Sequence, residues 1–427
     1  MMNVELRIEN EDRFSFNILN STFSIPNSPP ESTVKPIAKV IKVAAIGFGV
    51  VGTVAGLVWL FRPSPVVKAG NPGGDAALID PSLKLTDVDL EQADDKGNLL
   101  WKIKAKQAVY NRDKKEGTIV ALKGELYQDG KVAFKISADK GAIMGDGKVI
   151  SLSDNIVAVN VKDEVELKGK DMEWQTQTNL LKLKNKFVAT HKRVKVTGNE
   201  GQYFSKKQQA ELVGAIVAEV NDPKLKMTTE KLNWDLEKQQ LETGTAIAIE
   251  RKLEGDETDR ATANKGSYNL KSKIATLNKN VQVSLAKPEA KLNGDELVWD
   301  LGKQFIVANK PLTAYSAAEQ MTVNADQGEY RVNDKVAILT GNVRGTSQKN
   351  SSTIATDKLN WFLEKQEFEA TGSVVYRQSN PNPKNPITNL VGKSAKGSLT
   401  NEQVTIAGGP DADDRVVIDI VPNLSTP

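Results

Sequence analysis

The chain of 427 residues carries 57 Lys and Arg against 54 Asp and Glu, a formal net charge of +3, and 39% of its residues are hydrophobic. That near balance lacks the concentrated basic surplus of a nucleic-acid binder, while the apolar fraction suffices for a large core. The absence of cysteine and the presence of one histidine, His191, exclude disulfides, thiolate chemistry and a histidine metal cluster.

Residues 1–42 are mostly polar, with SIPNSPP in the middle, and read as a disordered cytoplasmic tail. From Val43 to Phe61 run 19 residues without charge or proline. Because ~20 apolar residues cross a bilayer core as a helix, this stretch is predicted to span a membrane once. Lys35, Lys39 and Lys42 flank its N-terminal side and Trp59 stands near its far end, which puts the N-terminus in the cytoplasm and the bulk of the chain outside. A cleaved signal peptide has a shorter basic leader and a shorter apolar run, so the anchor is expected to stay. Residues 62–78, rich in Pro and Gly, read as a flexible linker.

The remainder contains a repeat. LNWDLEKQQLETG (Leu232 to Gly244), LVWDLGKQFIVAN (Leu297 to Asn309) and LNWFLEKQEFEATG (Leu359 to Gly372) are near copies, with MEWQTQTNLLKLKN (Met172 to Asn185) a fainter one. Between them lie similar segments centred on Tyr203, Tyr268 and Tyr330, preceded by one centred on Ile143. The series Ile143, Trp174, Tyr203, Trp234, Tyr268, Trp299, Tyr330, Trp361 advances by 31, 29, 31, 34, 31, 31 and 31 residues. Each centre is followed by mostly apolar or small residues at +7, +9 and +13, such as Ala275, Leu277 and Val281, or Ala337, Leu339 and Val343. These offsets share one parity, which places the side chains on one face of a β-strand and excludes a helix. Polar runs such as NLKSK and RVNDK then read as hairpin turns, and Gly214 and Gly341 at +11 suit a bulge or twist. The predicted fold is all-β: an elongated stack of roughly 31-residue hairpins in two sheets, with ~18–20 strands over a length of order 40 Å.

The segment Leu85 to Tyr127 (LTDVDLEQADDKGNLLWKIKAKQAVYNRDKKEGTIVALKGELY), following an N-terminal anchor, resembles the start of the periplasmic domain of the LptC family of lipopolysaccharide-export proteins. The element AILTGNV (Ala337 to Val343) resembles the OstA-like repeats shared by LptC, LptA and the N-terminal part of LptD. The resemblance implies an open β-jellyroll holding acyl chains between its sheets, LptC-like over 79–215 and continuing as OstA-like repeats over 216–420, with 421–427 as a tail. It also implies an inner-membrane protein that takes lipopolysaccharide or a similar lipid from an ABC transporter and passes it to an LptA-like or LptD-like β-jellyroll at its C-terminal edge. The chain departs from the family in being about twice the usual length, and the resemblance leaves open whether its extra repeats replace the bridge that elsewhere is a separate LptA.

With the resemblance added, the candidate lipid-groove residues are Ile143, Trp174, Tyr203, Trp234, Tyr268, Leu277, Trp299, Tyr330, Leu339 and Trp361. The bland alternative is that the same residues fill the core of a structural or adhesive envelope rod. Lys207, Lys238, Lys273, Lys303, Lys335 and Lys365 follow the aromatic markers by four or five residues and are candidates for a headgroup rim, against the alternative of ordinary solvated turns. No phosphate loop, nucleophile elbow or metal motif occurs, no catalytic residue or cofactor is assigned, and an enzyme is not expected. His191 is expected to be an exposed strand residue.

Overall fold

The computed structural model describes residues 82–111, 115–379, 387–400, 403–411 and 414–421. The predicted tail, membrane segment and linker lie outside them. Among the described residues no helix is long and apolar enough to cross a membrane.

Among the described residues the fold is one antiparallel ladder of 27 strands from Ser82–Ala93 to Val417–Val421. Each rung pairs only with the rung before and the rung after it, so the ladder has no crossover. Six rungs are split in two, for example Val194–Gly198 with Glu200–Phe204 and Met321–Ala325 with Gln327–Arg331, which leaves twenty-one rungs.

A bulge near mid-strand decides the shape. In the Ile274–Leu285 strand, register jumps between Asn278 and Val281 while the partner advances only from Glu296 to Gly294, so two residues oppose one. Lys279 and Asn280 take φ of 64° and 52° there, and Gly341 and Asn342 take 78° and 46° at the same place in Val336–Ser347. Such a bulge bends and twists its strand. Equivalent jumps follow Ser153, Val213 and Thr371, so the bends line up into a crease along the ladder. The bulge expected at Gly214 and Gly341 is therefore present, and it recurs where the sequence has no glycine, as at Asp154 and Asn155. Asn side chains tie the crease together: Asn155 donates to Asp139, Asn185 to Asp171 and Asn342 to Asp326, each at 2.7 Å.

The crease corrects one expectation. Hairpins do not stack whole into one sheet or the other; every rung crosses both walls, one half on each side of its bend. Twenty-one rungs at ~4.8 Å give a contour of about 100 Å, about two and a half times the expected length. Alternate side chains from both walls meet in one hydrophobic core running from Trp101 to Leu399.

Candidate functional site

The repeat centres stand in a single cross-strand row. Ile143 pairs with Ile150, which pairs with Trp174, and the row continues through Leu181, Tyr203, Ala210, Trp234, Leu241, Tyr268, Ala275, Trp299, Ile306, Tyr330, Ala337 and Trp361 to Phe368. The +7 residues are thus the direct cross-strand neighbours of the aromatic ones, which is why the two positions repeat together. Deeper toward the crease runs a second row in which Leu277 faces Gly266 and Leu297, and Leu339 faces Gly328 and Leu359. Leucine there lies across glycine: a Cβ on Gly328 would meet Leu339 Cδ2 at 2.9 Å, and one on Gly266 would meet Leu277 Cδ2 at 3.0 Å.

All ten groove candidates are thereby brought together on the interior faces. Trp174, Tyr203, Trp234, Tyr268, Leu277, Trp299, Tyr330, Leu339 and Trp361 are buried in the core, and Ile143 packs half-buried against it. Burial pushes the Tyr268 hydroxyl up to about 12, helped by the charge of Asp222, and the Tyr330 hydroxyl likewise to about 12, with Asp259 raising and Arg251 lowering it. These phenols keep their protons at neutral pH.

The row ends two residues short of a line of turns, which binds itself lengthwise. Leu236 N donates to Gln208 O at 3.0 Å, Leu270 N to Gln239 O at 2.8 Å, Leu301 N to Lys273 O at 3.0 Å, Val332 N to Gln304 O at 2.9 Å and Leu363 N to Lys335 O at 3.0 Å. The donors are the second residues after each marker, in WDL, YNL, WDL, YRV and WFL; Leu270, Leu301 and Leu363 are buried. That apolar lip was legible as a +2 position, since Leu270, Leu301 and Leu363 continue the alternation of Tyr268, Trp299 and Trp361, but it lies in the turn and escapes a search confined to strands.

The opposite line of turns closes against this one, through side chains. Gln208 Nε2 donates to Asp163 Oδ1 and Lys162 Nζ to Gln208 Oε1, both at 2.7 Å, while Tyr203 Oη donates to Asp163 Oδ2 and accepts from Asn160 Nδ2, both at 3.1 Å. Farther along, Arg193 reaches Gln239 and the Leu270 carbonyl, Lys273 Nζ meets Asp222 Oδ2 at 2.8 Å, and Arg251 Nη1 donates to Gln304 Oε1 at 2.9 Å. The two lips thus form a polar seam over an apolar interior. His191 belongs to this seam: it is half-buried, against expectation, because its ring packs edge-on to Trp234 across the lips at 6.2 Å.

The six candidate rim lysines all fall in the first line of turns. Lys238 pairs with Asp235 at 3.3 Å, Lys273 with Asp222, and Lys335 with Glu364. Lys207 and Lys365 stand over the Phe204 and Phe362 rings, both at 5.7 Å, and the Lys303 amide bonds Asp300 Oδ1 at 2.7 Å.

A buried ion pair, Arg251 with Asp259, escaped the sequence reading. Arg251 donates through Nε to Asp259 Oδ2 at 2.9 Å, Asp259 Oδ1 accepts from Ala286 N at 2.8 Å, and the guanidinium lies 4.9 Å from the Trp299 ring centroid. Both side chains are buried, so removing either partner would strand the other's charge. Parity held the signal, since Arg251 follows Ile247 and Ile249 on one face of Ile247–Lys252.

The sequence matches the family described as lipopolysaccharide-assembly, LptC-related, over residues 51–202 and 192–286, which together exceed half of the chain. Residues 322–408 match the family described as LptA/(LptD N-terminal domain) LPS transport protein. No curated protein matches the chain.

Proposed function

The chain belongs to the LptC-related family of lipopolysaccharide-assembly proteins, and from that premise we propose that it is an envelope lipid conduit that combines, in one polypeptide, the receiving and bridging parts of lipopolysaccharide transport. In this reading residues 43–61 anchor it in the inner membrane and the ladder lies in the periplasm. The Ser82–Ala93 edge faces an ABC transporter, 79–215 acts as the LptC-like receiver and 216–420 as the OstA-like bridge. Among the described residues both terminal rungs have one neighbour, Leu99–Asn111 at the start and Ile387–Ser398 at the end, so strand addition suits a β-jellyroll partner at either edge.

The observation that carries the reading is the unbroken interior row. An acyl methylene is worth ~0.8 kcal/mol of burial, so a chain of roughly 12–14 carbons forfeits on the order of 10 kcal/mol if it crosses water unshielded. A row that repeats the same chemistry every second rung offers successive sites of similar affinity, so no step along it is a deep trap. The walls are held by backbone pairing, while the lip-to-lip contacts between Lys162 and Gln304 use side chains, so a chain that enters by parting the lips and displacing the apolar contacts beneath them breaks no backbone pairing of the ladder. The row side chains are buried against one another, a packing that equally suits a filled structural rod.

Crosslinking separates the two. A photoreactive residue placed at Trp234, Tyr268 or Trp299 in living cells is expected to capture lipopolysaccharide, whereas one at exposed Val375 is not. Capture of protein neighbours alone at all three interior positions would rule out the conduit.

A further inference from the structure

Among the described residues, six buried side-chain polar atoms have no hydrogen-bond partner: Trp174 Nε1, Tyr268 Oη, Trp299 Nε1, Tyr330 Oη, Trp361 Nε1 and Asn360 Oδ1. Five of the six belong to the interior row, and four of these, from Tyr268 to Trp361, occupy successive repeat centres. Two rungs separate each from the next, about 10 Å. A buried donor left unpaired costs about 1–3 kcal/mol, and an apolar ring of the same shape avoids that cost. The core does use phenylalanine elsewhere, as at Phe134, Phe187 and Phe368. A ring near a lip is not bound to be unpaired either: Trp101 Nε1 finds Gln92 Oε1 at 3.0 Å and Gly147 O at 3.2 Å, and Tyr203 is held by Asn160 and Asp163. The run from Tyr268 to Trp361 therefore keeps donors where packing alone calls for none.

Their depth suggests what they bind. The rings stand two residues from the turns, while Leu277 and Leu339 stand two residues closer to the crease than the row's Ala275 and Ala337, about 7 Å deeper. A chain lying with its tail over the leucines brings its head end level with the donors. We propose that Tyr268, Trp299, Tyr330 and Trp361, with Trp174 upstream, form a track of hydrogen-bond donors for the carbonyl and hydroxyl oxygens at the head end of acyl chains. The interior then prefers ester-linked, amide-linked or hydroxylated acyl groups to plain alkyl chains. This rests on the conduit reading and adds chemical selectivity to it. It also smooths transfer, because each oxygen released by one donor meets another two rungs on.

The test compares two probes with the same fluorophore and chain length, one joined through an amide carbonyl and one through methylenes only, bound to the full-length chain and to a Tyr268→Phe/Tyr330→Phe variant. The amide probe is expected to bind the parent chain more tightly and, in the variant, to lose about fivefold in affinity at each of the two sites whose hydroxyl is removed, the equivalent of one ordinary hydrogen bond there. The alkyl probe is expected to bind both proteins alike, and the empty variant to melt no lower than the parent. Equal affinity of the two probes for the parent, or equal losses in the variant, overturns the donor track and leaves the conduit standing. Failure of both probes to bind the parent overturns the conduit as well.

Discussion

His191 is the chain's only imidazole, so its titration is read without interference from another histidine. Burial against Trp234 holds its pKa below the ordinary value; the charges of Lys192 and Arg193 lower it further, while Asp163 and Glu164 act in the raising direction. The folded chain therefore takes up this proton less readily than the unfolded chain, whose value is about 6.5. Above that pH both states carry a neutral ring and the group has no effect on stability. As pH falls through the unfolded value the unfolded state gains the proton first and stability is lost, levelling off below the depressed folded value. Urea unfolding at pH 7.5 and at 5.5, run beside His191→Gln, is expected to show a larger drop in midpoint for the parent chain. Equal drops would mean that the loss comes from carboxylates alone. The neighbours Lys192 and Arg193 suggest water around His191, whereas its burial comes from the ring of Trp234, in the strand that runs into the opposite lip.

At the scale of the strand, the bulge is the element that turns a ladder into a folded one. Gly341 has φ of 78°, and a Cβ there would meet Asp326 Oδ2 at 2.7 Å. Gly244 has an ordinary φ and open space around it. Gly341→Ala is expected to cost about 1–2 kcal/mol from the left-handed backbone, and Gly244→Ala close to nothing. Thermal unfolding of the two variants checks this, and equal midpoints would show that the crease does not depend on the glycine. Strands, turns and the interior face were legible because parity and a 31-residue period survive in the sequence; Ala275, Leu277 and Val281 keep one parity through a bulge of two residues. Their partner strand Ala290–Asp300 does not, since Ala290 and Leu292 face the core on one parity and Leu297 and Trp299 on the other. The missing residue at the bend flips it, and that flip, rather than any apolar pattern, is what the hairpin-stack expectation lacked. Which turn on one lip meets which on the other was not legible, because it depends on bend and twist accumulated over several rungs. Hence Arg193 with Gln239, and Arg251 beside Trp299, emerge only in three dimensions.

For the whole ladder, the two kinds of cohesion differ in strength and direction. Along its length every rung is bonded to its neighbours through the backbone, and the turns of the first line add one such bond per repeat. Across the lips, the contacts between residues 160 and 304 run through side chains, most of them partly exposed and individually weak. Opening along the seam therefore leaves the ladder intact, whereas breaking it between rungs does not, and a repeat array with nearest-neighbour pairing tolerates such local opening. The chain's lack of cysteine lets this be tested directly. Lys162→Cys with Gln208→Cys, bridged by a short bis-maleimide, pins the lips beside Trp174 and Tyr203. Asp222→Cys with Lys273→Cys does the same farther along. If cargo enters and moves through parted lips, either bridge sharply lowers lipid capture by a photoreactive group at Trp299, while the unbridged double variants capture as the parent does. Bridged chains that melt no lower yet still load at the parent rate would show that lipid reaches the interior from the open end of the ladder, threading beneath a seam that stays closed.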